Sequence, residues 1–193
     1  MNEAEVKDIF LKTGAILEGH FLLTSGLHSP MYVEKFQVLQ HPQHTAAMCA
    51  ALAEKFRDEK IDVVVGPVTG GILLAHEVGK NLGTRAIFTE RVDGVMTLRR
   101  GFVIEPGERV LIVEDIITTG GSVCEVLDVV RASGGVPVAV GFLVDRSGGK
   151  VSFGEVPHQA LMTLTVPAYA PDQCPLCAQG VPLTKRGSTG KKS

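Results

Sequence analysis

The sequence has no tryptophan, and only two tyrosines beside eight phenylalanines. These ten aromatics are not interleaved with basic residues, which argues against a base-stacking platform for RNA. Charge of one sign is also lacking: 19 Lys and Arg face 21 Asp and Glu, a formal charge of −2. The last nine residues, KRGSTGKKS, hold four of those basic residues and no acid, which leaves 15 basic against 21 acidic, or −6, for the rest. A body of that sign excludes non-specific nucleic-acid binding, and any polyanion must be met by local donors or a metal. No apolar run approaches the roughly 20 residues of a membrane span. The strongest, residues 136–144, is broken by Pro137 and Gly141. The opening MNEAEVKDIF is charged and amphipathic, so no secretory signal is expected.

Cysteine is scarce, four in 193 residues, and a cytoplasmic location fits best. Cys49 and Cys124 fall in apolar, helix-patterned segments and are expected to be small buried residues. Cys174-Pro-Leu-Cys177 has the spacing of half a zinc site, but the chain offers no second close pair. A metal there would need another subunit or a distant histidine to complete it. His20, His28, His41, His44 and His158 show no local ligand spacing, so structural or surface roles are expected of them. His76-Glu77 is followed by Lys80 where a zinc-protease motif needs histidine.

What is present reads as one domain over residues 1–183, followed by a basic tail, 184–193, expected to be disordered. The pattern predicts an amphipathic helix over 3–12 and small strands and turns over about 14–40, outside the main layer. A core over about 41–166 follows, in which short buried strands (62–65, 85–89, 109–113, 136–144, 160–166) alternate with helices (from 42, 72–82, 122–132). That alternation predicts an α/β fold, a parallel β-sheet flanked by helices. Ligands of such sheets sit outside the carboxyl ends of the strands, which directs attention to loops 66–71, 90–101, 114–122 and 145–150.

Loop 114–122 carries the chemistry. In VLIVEDIITTGGS, residues 110–122, a buried strand ends in Glu114-Asp115, two β-branched residues follow, and Thr118-Thr119-Gly120-Gly121-Ser122 opens a helix. Backbone N–H groups at a helix start, with hydroxyls beside them, suit a phosphate. Adjacent carboxylates suit vicinal hydroxyls, or a metal held through its waters. A phosphate on one side and a diol on the other describe a sugar phosphate.

This segment resembles the phosphoribosyl-diphosphate (PRPP) signature of the type I phosphoribosyltransferases. FLLTSGLHSP (21–30) resembles the N-terminal hood segment of the orotate-specific branch, GPVTGG (66–71) its pyrophosphate loop, and FTER (88–91) with LRRGF (98–102) its mobile catalytic loop. Val144-Asp145-Arg146 matches the strand end whose arginine meets orotate. The resemblance implies a type I phosphoribosyltransferase-like sheet with a small hood, and transfer of phosphoribose from PRPP to orotate with Mg²⁺ carried mainly by PRPP. It implies PRPP binding by Thr69, Gly70, Gly71, Arg91, Glu114, Asp115, Ile116, Ile117, Thr118, Thr119, Gly120, Gly121 and Ser122, with Arg91, Glu114 and Asp115 in the chemistry. Thr118 and Arg146 would contact orotate, and loop 90–101 would be shared across a homodimer. Lysines usual in the family are replaced by Thr24 and Gly70, and no Lys or His occurs between Phe88 and Phe102. Positive charge is left to Arg91, Arg99 and Arg100, with Lys35 a weaker candidate. Strand alternation would put Arg99 and Arg100 on opposite faces. A purine or xanthine phosphoribosyltransferase, and a PRPP-sensing regulator without turnover, stay open as alternatives.

Overall fold

Asn2 starts the chain's first helix, α1 (Glu3–Lys12): its side chain accepts the Glu5 N–H at 2.9 Å while the Glu5 carboxylate accepts the Asn2 N–H at 2.8 Å. The computed structural model describes residues 1–23 and 25–185. After α1 come β1 (Ile16–Leu22) and β2 (His28–Val33), an antiparallel pair lying outside the main sheet as expected. A short helix follows, α2 (Lys35–Leu39), which hydrophobic periodicity over five residues was too short to reveal. Then α3 (Pro42–Glu54) begins with proline at its first position, where the missing N–H costs nothing.

The core alternates as its pattern predicts. β3 (Val63–Pro67) leads to α4 (Gly70–Leu82), which stops at Gly83 in the left-handed region, φ +70°. Next come β4 (Arg85–Val92), β5 (Val95–Leu98), β6 (Arg109–Ile117), α5 (Gly121–Ala132), β7 (Val136–Asp145) and β8 (His158–Thr163). The six-stranded sheet has the order β5-β4-β3-β6-β7-β8, with every neighbouring pair parallel except β4 with the edge strand β5. A short helix α6 (Pro175–Ala178) and β9 (Thr184–Lys185) close the described chain. β9 pairs in parallel with β1, so residues 184 and 185 belong to the small sheet; residues 186–193 of the expected tail lie outside the described residues, as does Thr24.

Alternation along the central strands builds two cores. Val64, Leu111 and Val113 pack with Phe10 of α1, Leu52 of α3 and Leu74 and Val78 of α4. Val63, Val65, Val110 and Ile112 face Val126, Leu127 and Val130 of α5. Each fully buried valine or leucine contributes about 1.5–3 kcal/mol, so the central strands are the most firmly held part of the molecule. Cys49 is buried in α3 as expected, whereas Cys124 is exposed. The apolar stripe of α5 runs through Val123, Val126, Leu127 and Val130, and Cys124 falls beside it.

Two expectations about loops are corrected. The segment read as a mobile loop after residue 89 is a hairpin: β4 runs to Val92, and Val92 pairs with Val95 across Asp93-Gly94. Both turn residues have positive φ, +50° and +84°, which is the geometry an Asp-Gly pair favours in a two-residue hairpin. Arg100 also has positive φ, +62°, and lies beyond the end of β5, so strand alternation does not govern Arg99 and Arg100. Both turn to Glu90, with Arg100 Nε at 3.0 Å and Arg99 Nε at 3.8 Å.

Candidate active site

β6 does not end at its acids. It runs through Glu114 and Asp115 to Ile117, because Glu114, Ile116 and Ile117 keep pairing with Phe142, Val144 and Asp145 of β7. The two carboxylates are therefore held by a central strand, 9% and 1% exposed. They meet different neighbours, as successive strand residues do. Asp115 turns to the hood side, where Lys35 Nζ lies 2.8 Å from Oδ2 and 3.0 Å from Oδ1. Glu114 lines a cleft of about 270 Å³ with Arg91, Thr118, Thr119, Gly120, Gly121, Ser122 and Glu125, together with Ile116 and Ile117.

Burial sets the electrostatics. It pushes the Glu114 carboxyl up to about 8, with the neighbouring Asp115 charge adding to the rise. Asp115 is raised as well, by burial, against the opposing pull of Lys35. Burial works against the Lys35 charge too, but Asp115 outweighs it and the ammonium is held above its usual value. A buried acid pair with one ammonium on one side is poised for a ligand that brings hydroxyls to the other.

The loops around these acids are built for close approach. A Cβ on Gly70 would fall 1.8 Å from Asp115 Oδ2, so only glycine fits where α4 begins. Thr69 precedes α4 without a side-chain cap, and Gly120, φ +79°, precedes α5 in the same way. Their first N–H groups are thus free to meet an anion. Gly71 packs on Gly66 and Pro67, closing the 66–71 turn on itself. Arg91 reaches from β4 to Glu125 of α5, with Nη2 donating to Oε1 at 2.9 Å, and so lies across the mouth of the cleft.

Arg146 begins the loop after β7, and its N–H donates to the Ile117 carbonyl at 2.8 Å, next to Thr118. Asp145 is not its partner: that carboxylate accepts the Ser147 and Gly149 N–H groups at 2.6 and 3.0 Å. Among the described residues the Arg146 Nε is buried without a hydrogen-bond partner and the guanidinium makes no ion pair. Burial lowers its pKa, against a smaller opposing effect of Tyr32 in the hood. A buried guanidinium nitrogen without a partner among the described residues can receive a planar anion. Of the residues the sequence singled out, Arg91, Glu114 and 116–122 line one cleft; Asp115 meets Gly70 and Lys35 beside it, and Arg146 joins through its N–H to the Ile117 carbonyl. Lys35 was ranked low because no motif marks a lysine that acts through a short helix.

A more open cleft of about 680 Å³ lies at the other end of the sheet, between Asp62, Thr84, Arg85 and Glu108. It sits at the amino ends of β3, β4 and β6, away from these groups, and Arg85 is already paired with Glu108.

A mostly parallel sheet with phosphate-suited helix starts and buried acids at its carboxyl ends defines an α/β enzyme for a phosphorylated sugar. The phosphoribosyl transferase domain family matches residues 36–152. The chain is 56% identical to the orotate phosphoribosyltransferase of Desulforamulus reducens over 97% of its own length and 98% of that protein. It is 55% identical, with the same coverage, to the one from Pelotomaculum thermopropionicum. The crystal structure of orotate phosphoribosyltransferase from Aeropyrum pernix superposes with a TM-score of 0.67 over 82% of this chain and 93% of that one, at 24% identity. The chain belongs to the phosphoribosyltransferases, in the orotate phosphoribosyltransferase family.

Proposed function

We propose that the protein is a cytoplasmic, homodimeric enzyme that transfers the 5-phosphoribosyl group from PRPP to orotate, giving orotidine 5′-phosphate and pyrophosphate for pyrimidine synthesis. The observation that carries the assignment of this cleft is the uncapped start of α5 beside Glu114, with Arg91 across the mouth. The N–H groups and hydroxyls of 118–122 would hold the 5-phosphate. Glu114 would accept from a ribose hydroxyl, with Asp115 behind it. The 69–71 turn, Lys35 and Arg91 would face the diphosphate, and Thr118 and Arg146 the orotate.

No side-chain nucleophile is needed, because the orotate ring nitrogen attacks the anomeric carbon and pyrophosphate leaves with inversion. The carbon becomes cationic as the bond breaks, and that charge beside Glu114 would favour its ionised form, which in turn stabilises the carbon. Donors fixed in advance on the departing diphosphate are each worth about 3 kcal/mol in comparable sites. The donor set fits Mg²⁺: a carboxylate and hydroxyl oxygens line the cleft, suited to a hard cation that arrives with the diphosphate. When bound, that ion neutralises charge on the leaving group. The β4–β5 hairpin, with Val92 and Val95 exposed, is the segment we place at the subunit boundary and over the bound sugar, where it would exclude water.

The test follows orotate absorbance with PRPP and Mg²⁺, each omitted in turn, against hypoxanthine and xanthine as competing acceptors. Orotate should disappear only in the complete mixture. Consumption of a purine base instead, or of none, overturns the assignment.

A further inference from the structure

The Cys174–Cys177 pair gains partners that lie about 150 residues earlier in the chain. His20 of β1 and His28, the first residue of β2, bring their ring nitrogens to within 3.1 Å of each other, His20 Nε2 to His28 Nδ1. Cys174 Sγ lies 3.5 Å from His20 Nε2, and Cys177 Sγ lies 3.7 Å from the same nitrogen and 3.2 Å from His28 Nδ1. All four ligand atoms fall within 4.8 Å of one another. Two imidazoles and two thiolates around a tetrahedral zinc, at ordinary bond lengths, would stand about 3.3 Å apart for N–N and about 3.6 Å for N–S. The three N–S spacings and the one N–N spacing above match those values to a few tenths of an ångström, and the other two pairs of ligand atoms lie within 4.8 Å.

We propose that His20 Nε2, His28 Nδ1, Cys174 Sγ and Cys177 Sγ form a structural zinc site that fastens the C-terminal segment to the hood. Ligand chemistry selects the ion, since two thiolates with two imidazoles in tetrahedral array favour Zn²⁺ over the oxygen-seeking Mg²⁺. Four protein ligands leave no open position, so the site is structural and not a second catalytic centre.

The surroundings are built for it. His20, His28 and Cys174 are buried, 3–6% exposed, where two bare imidazoles and a thiol gain little from crowding together. His20 Nδ1 lies 2.7 Å from the Val181 carbonyl, an acceptor. That bond puts the proton on Nδ1 and leaves the Nε2 lone pair directed at the cluster, the outer-shell arrangement common to metal-bound histidines. His28 is fixed by its backbone, which exchanges two 2.8 Å hydrogen bonds with Tyr169. The first turn of α6 holds Cys174 and Cys177 on one side. Binding would release two thiol protons and join segments 20–28 and 174–177, adding to the His28–Tyr169 backbone pair, the His20–Val181 bond and the two-residue pairing of β9 with β1. The hood strand so anchored, β2, leads within two residues to Lys35, which pairs with Asp115, so the ion would hold the hood in register with the central sheet.

Untagged protein purified under reducing conditions should contain about one zinc per chain by mass spectrometry of the elements. Stripped, reduced protein should take up one Co²⁺ with thiolate-to-cobalt charge-transfer absorption and the visible bands of a tetrahedral ion, and zinc should displace it. Stripping should lower the melting temperature by at least about 5 °C, restored by zinc and not by Mg²⁺. Cys177→Ser, at an exposed position, should lose the zinc and the cobalt charge-transfer signal, while Cys124→Ser keeps both. If either variant fails to fold, the wild-type cobalt titration decides alone. Reduced wild-type protein that binds neither metal, a Cys174–Cys177 disulfide as the stable state under reducing conditions, or zinc retained in full by Cys177→Ser would overturn the site. None of these outcomes depends on orotate turnover.

Discussion

The Lys35 ammonium touches both oxygens of Asp115, at 2.8 and 3.0 Å, and so ties the helix that follows the hood to the centre of the sheet. Asp115 is almost wholly buried, while Lys35 keeps a third of its side chain in solvent. Removing one partner of a buried pair strands the other charge. Lys35→Met should therefore cost about 2 kcal/mol at pH 7, below the full cost of a wholly buried pair because the lysine is partly hydrated. The double change with Asp115→Asn should recover most of that loss. Urea unfolding of the four proteins checks it; a loss in the double variant equal to the sum of the two single losses would mean the pair is not coupled.

Glu114 sets a pH dependence whose sign can be worked out. Its folded pKa is raised to about 8 by burial and by Asp115, whereas an unfolded glutamate titrates near about 4.3. Between those values the folded chain keeps a proton that the unfolded chain has lost, so this group's contribution to stability falls as pH rises and levels off above about 8. Glu114→Gln should match the wild type near pH 5 and exceed its melting temperature near pH 8.5 by about 5 °C, with activity reduced. Parallel melting curves across that range would contradict the assignment.

The order of elements and the location of the cleft were legible in the sequence because strand and helix periodicities differ, and because Thr118 to Ser122 opens a helix at a strand end. Helix α1 falls at the expected residues, since its Asn2–Glu5 cap and its apolar face at Val6 and Phe10 are local signals. What stayed hidden depended on distance. Lys35 acquires its role only when α2 packs beside α4, and His20 meets Cys174 only after the C-terminal segment returns to β1. The hairpin at 92–95 was written locally, in Asp93-Gly94, but the resemblance to a mobile loop outweighed that signal. The end of β6 was placed too early for a related reason: the strand extends past the acids because β7 offers partners as far as Asp145.

Gly70→Ala tests how tightly the 66–71 turn is fitted to the acids. The added methyl would meet Asp115 Oδ2 at 1.8 Å and Leu39 Cδ1 at 3.2 Å, so either the carboxylate or the helix start must move. A loss of about 1–3 kcal/mol is expected from such overpacking, together with a turnover loss larger than the stability loss explains. Thermal melts and kcat measured well below the transition separate the two.

Arg91→Ala should behave in the opposite way. Its pair with Glu125 is exposed, 42% and 40%, and exposed pairs contribute at most about 1 kcal/mol. Stability should hardly change, while kcat/KM for PRPP falls about 100-fold if this guanidinium faces the departing diphosphate. An activity within about twofold of wild type would remove Arg91 from the site.

Arg146 separates the two substrates. Its guanidinium is mostly buried, its Nε has no partner among the described residues, and Asp145 is occupied with the turn that follows. A desolvated cation without a counter-ion destabilises the free protein and gains most from a ligand carboxylate. Arg146→Leu should therefore leave the free protein as stable as before or more so, while kcat/KM for orotate drops about 100-fold and the KM for PRPP shifts by less than about threefold. Arg146→Lys should recover little, because a single ammonium cannot reproduce the two-pronged geometry of a guanidinium on a planar carboxylate. Equal losses for both substrates would place Arg146 in the support of the 117–118 turn, through its 2.8 Å bond to the Ile117 carbonyl, and not in orotate recognition.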